Sequence, residues 1–279
     1  LGDAAYYLNP LLDGDDGREG GLDCVGVHKW RMPSNWKFPA TSFNGDAAHG
    51  SITHRSTQVA AYGPQEDKGN TADRHSDRLP RERYEVTVAR LGHGGHFSLH
   101  SADEPYVPTW PTVSPLVDDY YREAYGERMR RFAGQTIVEG GCGIFPNFST
   151  GGAARTFVVW HPDGVQSTEA WRFYFVDQQA PREARDAMRR FQMRYAGPVG
   201  MTESDDMENW NYASAASSGV IARRYPYNYQ MGLGHEKPAG RIPGQLSQVR
   251  SESNQRARFG RWLEFMEAPN WSEMYPLKD

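Results

Sequence analysis

Three side chains able to hold a metal ion or a proton fall close together: Asp46, His49 and His54, within the run Asn35 to His54 (NWKFPATSFNGDAAHGSITH). Imidazole and carboxylate are common ligands of borderline divalent metals. On a helix, His49 stands three residues after Asp46 and shares its face. His54, five after His49, falls roughly 140° further round an ideal helix, which is the wrong side. Either the backbone bends or bulges near Gly50, or His54 belongs to the frayed end of that helix. A second run, Gly197 to Trp210 (GPVGMTESDDMENW), holds the carboxylates Glu203, Asp205, Asp206 and Glu208. Alone it reads as a solvated helix start, where negative charge is favoured. With the first run it offers more. Two histidines and one carboxylate make a facial triad, leaving three positions open on iron(II) for dioxygen and substrate.

The elements that must position these groups are legible in outline. Cys24 to Arg31 reads as a strand, and helical character is expected from near Ser42, where Ser or Asn can cap a first turn. Gly63 to Pro80 is a polar surface loop with Gly-Pro and Gly-Asn pairs. Tyr84 to Leu91 alternates like a strand, Gly92 to His96 reads as a turn, and Phe97 to His100 as a second strand. Asp118 to Phe132 is a charged amphipathic helix. Ile137 to Phe145, Thr156 to His161 and Ala170 to Val176 are apolar β-rich runs broken by Gly, Pro and Asp. Pro181 to Tyr195, Asp205 to Ser218 and Asn254 to Ala268 read as helices. Strands grouped in sequence and flanked by helices give an α+β fold on an antiparallel sheet.

The net charge of -4 argues against an electrostatic grip on nucleic acid or an anionic membrane. No apolar run is long enough to span a bilayer. Aromatics at 13% suit an aromatic-lined cavity or a large core. Cys24 and Cys142 form no disulfide framework, so a cytoplasmic setting is expected. The start at Leu1 reads as a cut end, with the chain a piece of a longer polypeptide. Cys142, without a basic neighbour, reads as a buried small residue. His93, His96 and His100 suggest the surface of a hairpin.

The pattern Asn35-Trp36-Lys37, Phe43-x-Gly45-Asp46-x2-His49-x4-His54, Gly197-Pro198-x-Gly200 and Glu203-Ser204-Asp205-Asp206-x-Glu208-Asn209-Trp210 resembles the catalytic domain of the α subunit of Rieske-type aromatic-ring-hydroxylating dioxygenases. The run Asn228 to Gly234, with Arg261-Trp262 and Pro269-Asn270-Trp271, is similar to the biphenyl/toluene-like branch. The resemblance implies one domain over residues 1–279 with a helix-grip (Bet v1/START-like) sheet, and a mononuclear Fe(II) held by His49, His54 and Asp206. It makes Asp205 the neighbour of the ligand. It assigns Asp46 the role of an aspartate linking an iron-ligand histidine to the Rieske [2Fe-2S] cluster of the adjacent subunit. A carboxylate on that imidazole also fixes its tautomer.

The family's cluster needs two Cys-x-His pairs, and neither Cys24 nor Cys142 has a His two residues later. The [2Fe-2S] centre is therefore expected in a missing N-terminal domain. Electrons would come from NADH through a reductase and ferredoxin, the assembly would be α3 or α3β3 with a β subunit, and an arene with dioxygen would give a cis-dihydrodiol. Ser42 stands where relatives often have Asn or Gln, and aromatic side chains of relatives are absent at Ala196 and Thr202. With Ala47, Ala48 and Gly50 beside the metal, these small residues imply a roomy pocket for a bicyclic or larger arene. Phe43, Ile144, Phe145, Asn147 and Phe191 are further pocket candidates. The competing readings are a non-catalytic aromatic-ligand-binding domain of the same shape, or the same triad loaded with zinc for hydrolysis.

Overall fold

Side-chain alternation builds the sheet. In Thr168–Asp177 the residues Thr168, Ala170, Arg172, Tyr174 and Val176 are buried while those between them are largely half-buried, as expected of a strand with one face on the core. The computed structural model describes residues 1–12, 21–46, 48–57, 82–88, 91–101, 119, 120, 123, 136–151, 154–240, 242–248 and 250–274. Among them nine strands form one sheet: β1 Leu22–Met32, β2 Glu82–Val88, β3 His93–Ser101, β4 Thr136–Ile144, β5 Phe148–Gly151, β6 Thr156–Pro162, β7 Thr168–Asp177, β8 Lys237–Pro238 and β9 Gln245–Gln248. Their spatial order is β1-β7-β6-β5-β4-β3-β2-β9-β8, and every pairing is antiparallel. The helices are α1 Ala5–Leu12, α2 Lys37–Ser42, α3 Arg182–Ala196, α4 Glu203–Ser217, α5 Ser253–Glu267 and α6 Trp271–Met274. Helix α3 packs on β7, α5 on β2 and β3, and α2 against α4. No described helix is long and apolar enough to cross a membrane.

Helix α3 buries Ala184, Ala187, Met188, Phe191 and Gln192, the i, i+3, i+4, i+7, i+8 stripe of an amphipathic helix, against Tyr174 and Val176 of β7. A second apolar cluster joins Met32, Ala40, Val158, Trp160, Ala170 and Trp210, locking α2 and α4 to the sheet beside it. A third gathers Tyr7, Leu8, Phe97, Cys142 and Ile144. Cys142 lies inside it, its thiol pushed up to about 11 by burial against a bond to Thr150, which makes it unreactive.

The antiparallel α+β architecture agrees with the sequence, and three local expectations change. The helix expected to begin near Ser42 ends there: α2 starts at Lys37 and takes Pro39 in its first turn, where no backbone donor is needed. The turn expected over Gly92 to His96 shrinks to Gly92, at φ +69, and His93 to His96 already belong to β3. His93 is accordingly buried at 7% exposure, not on a hairpin surface. Helix α1 and strands β5, β8 and β9 are additions to the sequence reading. The expected loop over Gly63 to Pro80 lies outside the described residues. So does most of the expected helix over Asp118 to Phe132, where only Asp119, Tyr120 and Glu123 are described.

His93 Nδ1 accepts the Phe145 N–H at 2.9 Å, so that nitrogen carries a lone pair. Burial, then positive charge that includes Arg258 and Arg261, pulls its pKa down to about 4. A depressed pKa means that the unfolded chain takes up the proton first as pH falls. Stability is then full above pH 6.5 and is lost between there and pH 4, by up to roughly 3 kcal/mol. His93→Gln keeps an acceptor without the titration. Urea unfolding from pH 7 to 4 is expected to show a shallower loss in the variant; parallel profiles would refute the assignment.

Candidate metal centre

The first histidine segment is not a continuous helix. After α2 the chain turns through Phe43, Asn44 and Gly45, whose φ of +116 favours glycine. Asp46 then closes a turn: its N–H donates to Ser42 O at 3.1 Å, and its Oδ1 accepts from Ala48 N at 3.0 Å and His49 N at 3.3 Å. A single 3-10 turn, His49–Ser51, follows, with Ile52 N and Thr53 N both bonded to His49 O. The backbone departs from ideal helical geometry at Ile52, with φ -106 and ψ -59, and His54 follows in the same irregular turn. That break removes the 140° mismatch and swings the two imidazoles together, with ring centroids 5.1 Å apart.

The carboxylate arrives from the other end of the chain. Between α3 and α4, Met201 N bonds Arg194 O, while Thr202 N and Thr202 Oγ1 both bond Tyr195 O. A side chain at Gly200 would press to 2.6 Å from that same carbonyl, so the tight corner requires glycine. Helix α4 consequently starts at Glu203, two residues earlier than its acidic pair suggested, with Asp205 and Asp206 in the first turn. Asn209 Nδ2 reaches Thr53 Oγ1 at 2.9 Å, stitching α4 to the histidine segment.

His49, His54 and Asp206 thereby converge, with one donor atom from each lying within 4.8 Å of the others. Asp206 Oδ1 is 3.7 Å from His49 Nε2 and 3.4 Å from His54 Nε2. Ligands about 2.1 Å from one ion and at right angles stand about 3 Å apart, so small shifts close this set on a metal. His49 Nδ1 donates to the Asp46 carbonyl oxygen at 2.5 Å. A carbonyl only accepts, so a proton resides on Nδ1 and Nε2 is the nitrogen turned toward the cluster.

Charge supports the same fit. Asp206, 6% exposed, is pushed up to about 7 by burial, with repulsion from Glu203 and Asp205 working against His49 and Arg172. Burial opposes charge on His49, but Asp46 and Asp206 prevail and raise it to about 9. Burial, then His49, lowers His54 to about 4. Without a metal the centre thus retains a proton between His49 and Asp206, at the place where a cation would sit.

Asp46 is the more open end of this arrangement, its side chain 38% exposed and its Oδ2 3.6 Å from His49 Nδ1. Burial opposes its charge, yet bonds from His49 and Ala48 hold its carboxyl below the usual range.

Two contacts beside the cluster were not foreseen from the sequence. His54 Nδ1 has no hydrogen-bond partner and faces the Asp205 Oδ2 at 3.8 Å, so the neighbouring aspartate backs the second histidine. Arg172 and Glu203, 3% and 2% exposed, form a buried pair at 2.6 Å that fastens the first turn of α4 to β7. The signal for Arg172 was its parity: it shares the inward register of Ala170 and Tyr174, and a buried guanidinium demands an anion.

The pocket candidates disperse. Ser42, Ala48 and Gly50 lie half-buried on the histidine segment, and Ala47 lies outside the described residues. Phe43 packs on Trp160 and Trp210, with ring centroids 5.5 and 6.2 Å away. Ile144 belongs to the Tyr7–Phe97 cluster, Phe145 packs on Phe265, and Asn147 donates to Trp160 O. Phe191 and Ala196 lie in the α3 cluster, and Thr202 forms the α3–α4 corner. A groove of about 660 Å³ between β1 and α3 includes none of these residues and no member of the metal cluster.

The model of the ring hydroxylating α subunit (catalytic domain) family matches residues 22–267. The biphenyl dioxygenase α subunits of Metapseudomonas furukawaii and Paraburkholderia xenovorans are 32% and 31% identical over 99% of this chain. The chain spans only 59% and 60% of their length. A naphthalene 1,2-dioxygenase point mutant bound to phenanthrene superposes with a TM-score of 0.73 at 27% identity, over 98% of this chain and 60% of that one. The Rhodococcus sp. naphthalene 1,2-dioxygenase bound to indole gives 0.72 at 28%, over 96% and 61%. With a family match across most of its length and the His49–His54–Asp206 cluster at the start of α4, this chain belongs to the ring-hydroxylating α-subunit catalytic-domain family.

Proposed function

We propose that this chain is the catalytic domain, one unit over residues 1–279 of helix-grip shape, of a dioxygenase that converts an aromatic hydrocarbon to a cis-dihydrodiol. The convergence of His49, His54 and Asp206 carries the proposal. Bound there, iron(II) supplies the redox chemistry that activates dioxygen. The chain's residues supply the rest. His49 presents Nε2 because Asp46 holds the proton on Nδ1, and His54 presents Nε2 with Asp205 behind its other nitrogen. Asp46 lies between the half-buried His49 imidazole and the surface, and is proposed as the link to an electron-donor domain of an adjacent subunit.

Ser42, Phe43, Ala47, Ala48, Gly50 and Thr202 are proposed as walls near the reacting ring. Small residues among them leave room for a fused arene, in keeping with relatives named for biphenyl and naphthalene and a solved structure that holds phenanthrene. A Rieske [2Fe-2S] domain, a ferredoxin and an NADH-dependent reductase are the proposed electron source, in an α3 or α3β3 assembly in the cytoplasm.

The test uses the chain joined to such a donor domain. About one iron per chain, an EPR-visible nitric oxide adduct and dihydroxylation of naphthalene or a larger arene are expected. Asp46→Asn keeps the turn's acceptor oxygen but not its charge, so iron should remain while turnover falls by roughly ten- to a hundredfold. Zinc in place of iron, or full turnover in the Asn variant, would refute the reading.

A further inference from the structure

The cross-strand pair Gly94↔Gly143 leaves a notch between β3 and β4, because directly opposed residues share a face and neither has a side chain. Two fully buried asparagines occupy it. Asn254, the second residue of α5, donates from Nδ2 to Gly95 O at 3.2 Å. Asn44, in the turn before Asp46, donates from Nδ2 to the Asn254 carbonyl at 3.1 Å. The fit excludes larger residues on every side. A Cβ on Gly94 would stand 2.2 Å from Asn254 Oδ1, one on Gly45 2.2 Å from Asn254 Nδ2, and one on Gly143 2.7 Å from Asn44 Oδ1. Asn44 is 0% exposed, and its Oδ1 has no partner of its own.

Three parts of the molecule therefore meet at this point: the sheet, helix α5 and the loop that presents Asp46 and His49. A buried amide costs free energy unless its hydrogen bonds hold it in one place, so the two asparagines define a single position for that loop. We infer that Asn44 and Asn254 are positioning residues for the metal-binding loop, latching it to α5 and to the β3–β4 notch. They act by fixing where Asp46 and the following 3-10 turn begin. The inference rests on the reading of His49, His54 and Asp206 as a metal site.

The test is divalent-metal binding by the 279-residue chain. Co(II) titration gives an affinity and a visible ligand-field spectrum that reports ligand geometry, and thermal unfolding without metal gives stability. Asn44→Ala removes the bond to Asn254 O, and Asn254→Ala keeps that carbonyl but empties the notch. Met188→Ala, in the cluster between α3 and β7, is a control for general destabilisation. Both asparagine variants are expected to bind Co(II) about tenfold or more weakly, with a shifted spectrum, as loss of an outer positioning group does. The control should lose stability but keep wild-type affinity and spectrum. A folded asparagine variant with both unchanged overturns the inference, as does an equal loss in the control. Failure of both variants to fold would overturn it too, because the pair would then hold the sheet and not the loop. A wild-type chain that binds no Co(II) would sink the metal-site reading instead, so the two failures are distinct.

Discussion

Asp206→Ala is expected to empty the metal centre: iron falls from about one per chain to a small fraction, with affinity down by more than about a hundredfold, beyond the range for loss of an outer partner. Its Oδ1 is the atom that both Nε2 nitrogens face, so its removal leaves two imidazoles and no charge to offset a dication. The fold should persist. The carboxyl is already pushed up to about 7 by burial, so deleting it also removes the cost of burying an anion. Sign matters here. A raised carboxyl pKa makes the folded state hold a proton that the unfolded chain releases, so this group's contribution becomes less favourable as pH rises from about 4 to 7. The clearest readout is the Tm shift on adding Fe(II) anaerobically at pH 7.5. The wild type should be stabilised by metal and the variant should not. Asp205→Ala, one residue away, should still take up iron. If Asp206→Ala keeps its iron, the ligand assignment is wrong.

Arg172→Met is expected to destabilise the metal-free chain by about 3–5 kcal/mol, because it strands Glu203 as a buried, unpaired carboxyl. The guanidinium and carboxylate are 2.6 Å apart with almost no solvent on either, and the guanidinium lies over Trp30 and Phe43 at 5.8 and 5.6 Å. Burial raises the Glu203 pKa even with Arg172 opposing it, which marks how poorly that site tolerates an isolated charge. Changing both residues to Met removes the stranded group, so most of the lost stability should return. Urea unfolding of the single and double variants decides the matter. A single variant within about 1 kcal/mol of wild type would mean that solvent reaches Glu203 and that the pair is not an anchor. The effect bears on function because Glu203 precedes Asp206 by three residues on α4, so a loosened first turn moves the ligand.

Much of the architecture was legible because it depends on local pattern. The alternation in Thr168–Asp177 and the apolar stripe of Arg182–Ala196 each bury one face whatever surrounds them, and both elements stand where expected. Strands β8 and β9 were not legible. Lys237–Pro238 and Gln245–Gln248 carry no apolar alternation, and they are strands because β2 offers β9 an open edge. His93 misled for a similar reason: a histidine between glycines reads as surface until β4, Phe145 and Arg258 enclose it.

The sequence by itself determined the chemistry on offer: two imidazoles five residues apart, a distant acidic helix start, and the family motif that joins them. Only the tertiary structure decided that they meet. An ideal helix would have pointed His49 and His54 apart, and no local rule relates residue 54 to residue 206. The meeting comes from a 3-10 turn that ends at Ser51, a tight corner at Gly200, and a sheet against which both segments are pinned by Arg172, Asn44 and Asn254. Those contacts form between residues remote in the chain, and so their geometry follows from packing and buried charge, which spacing along a sequence does not encode.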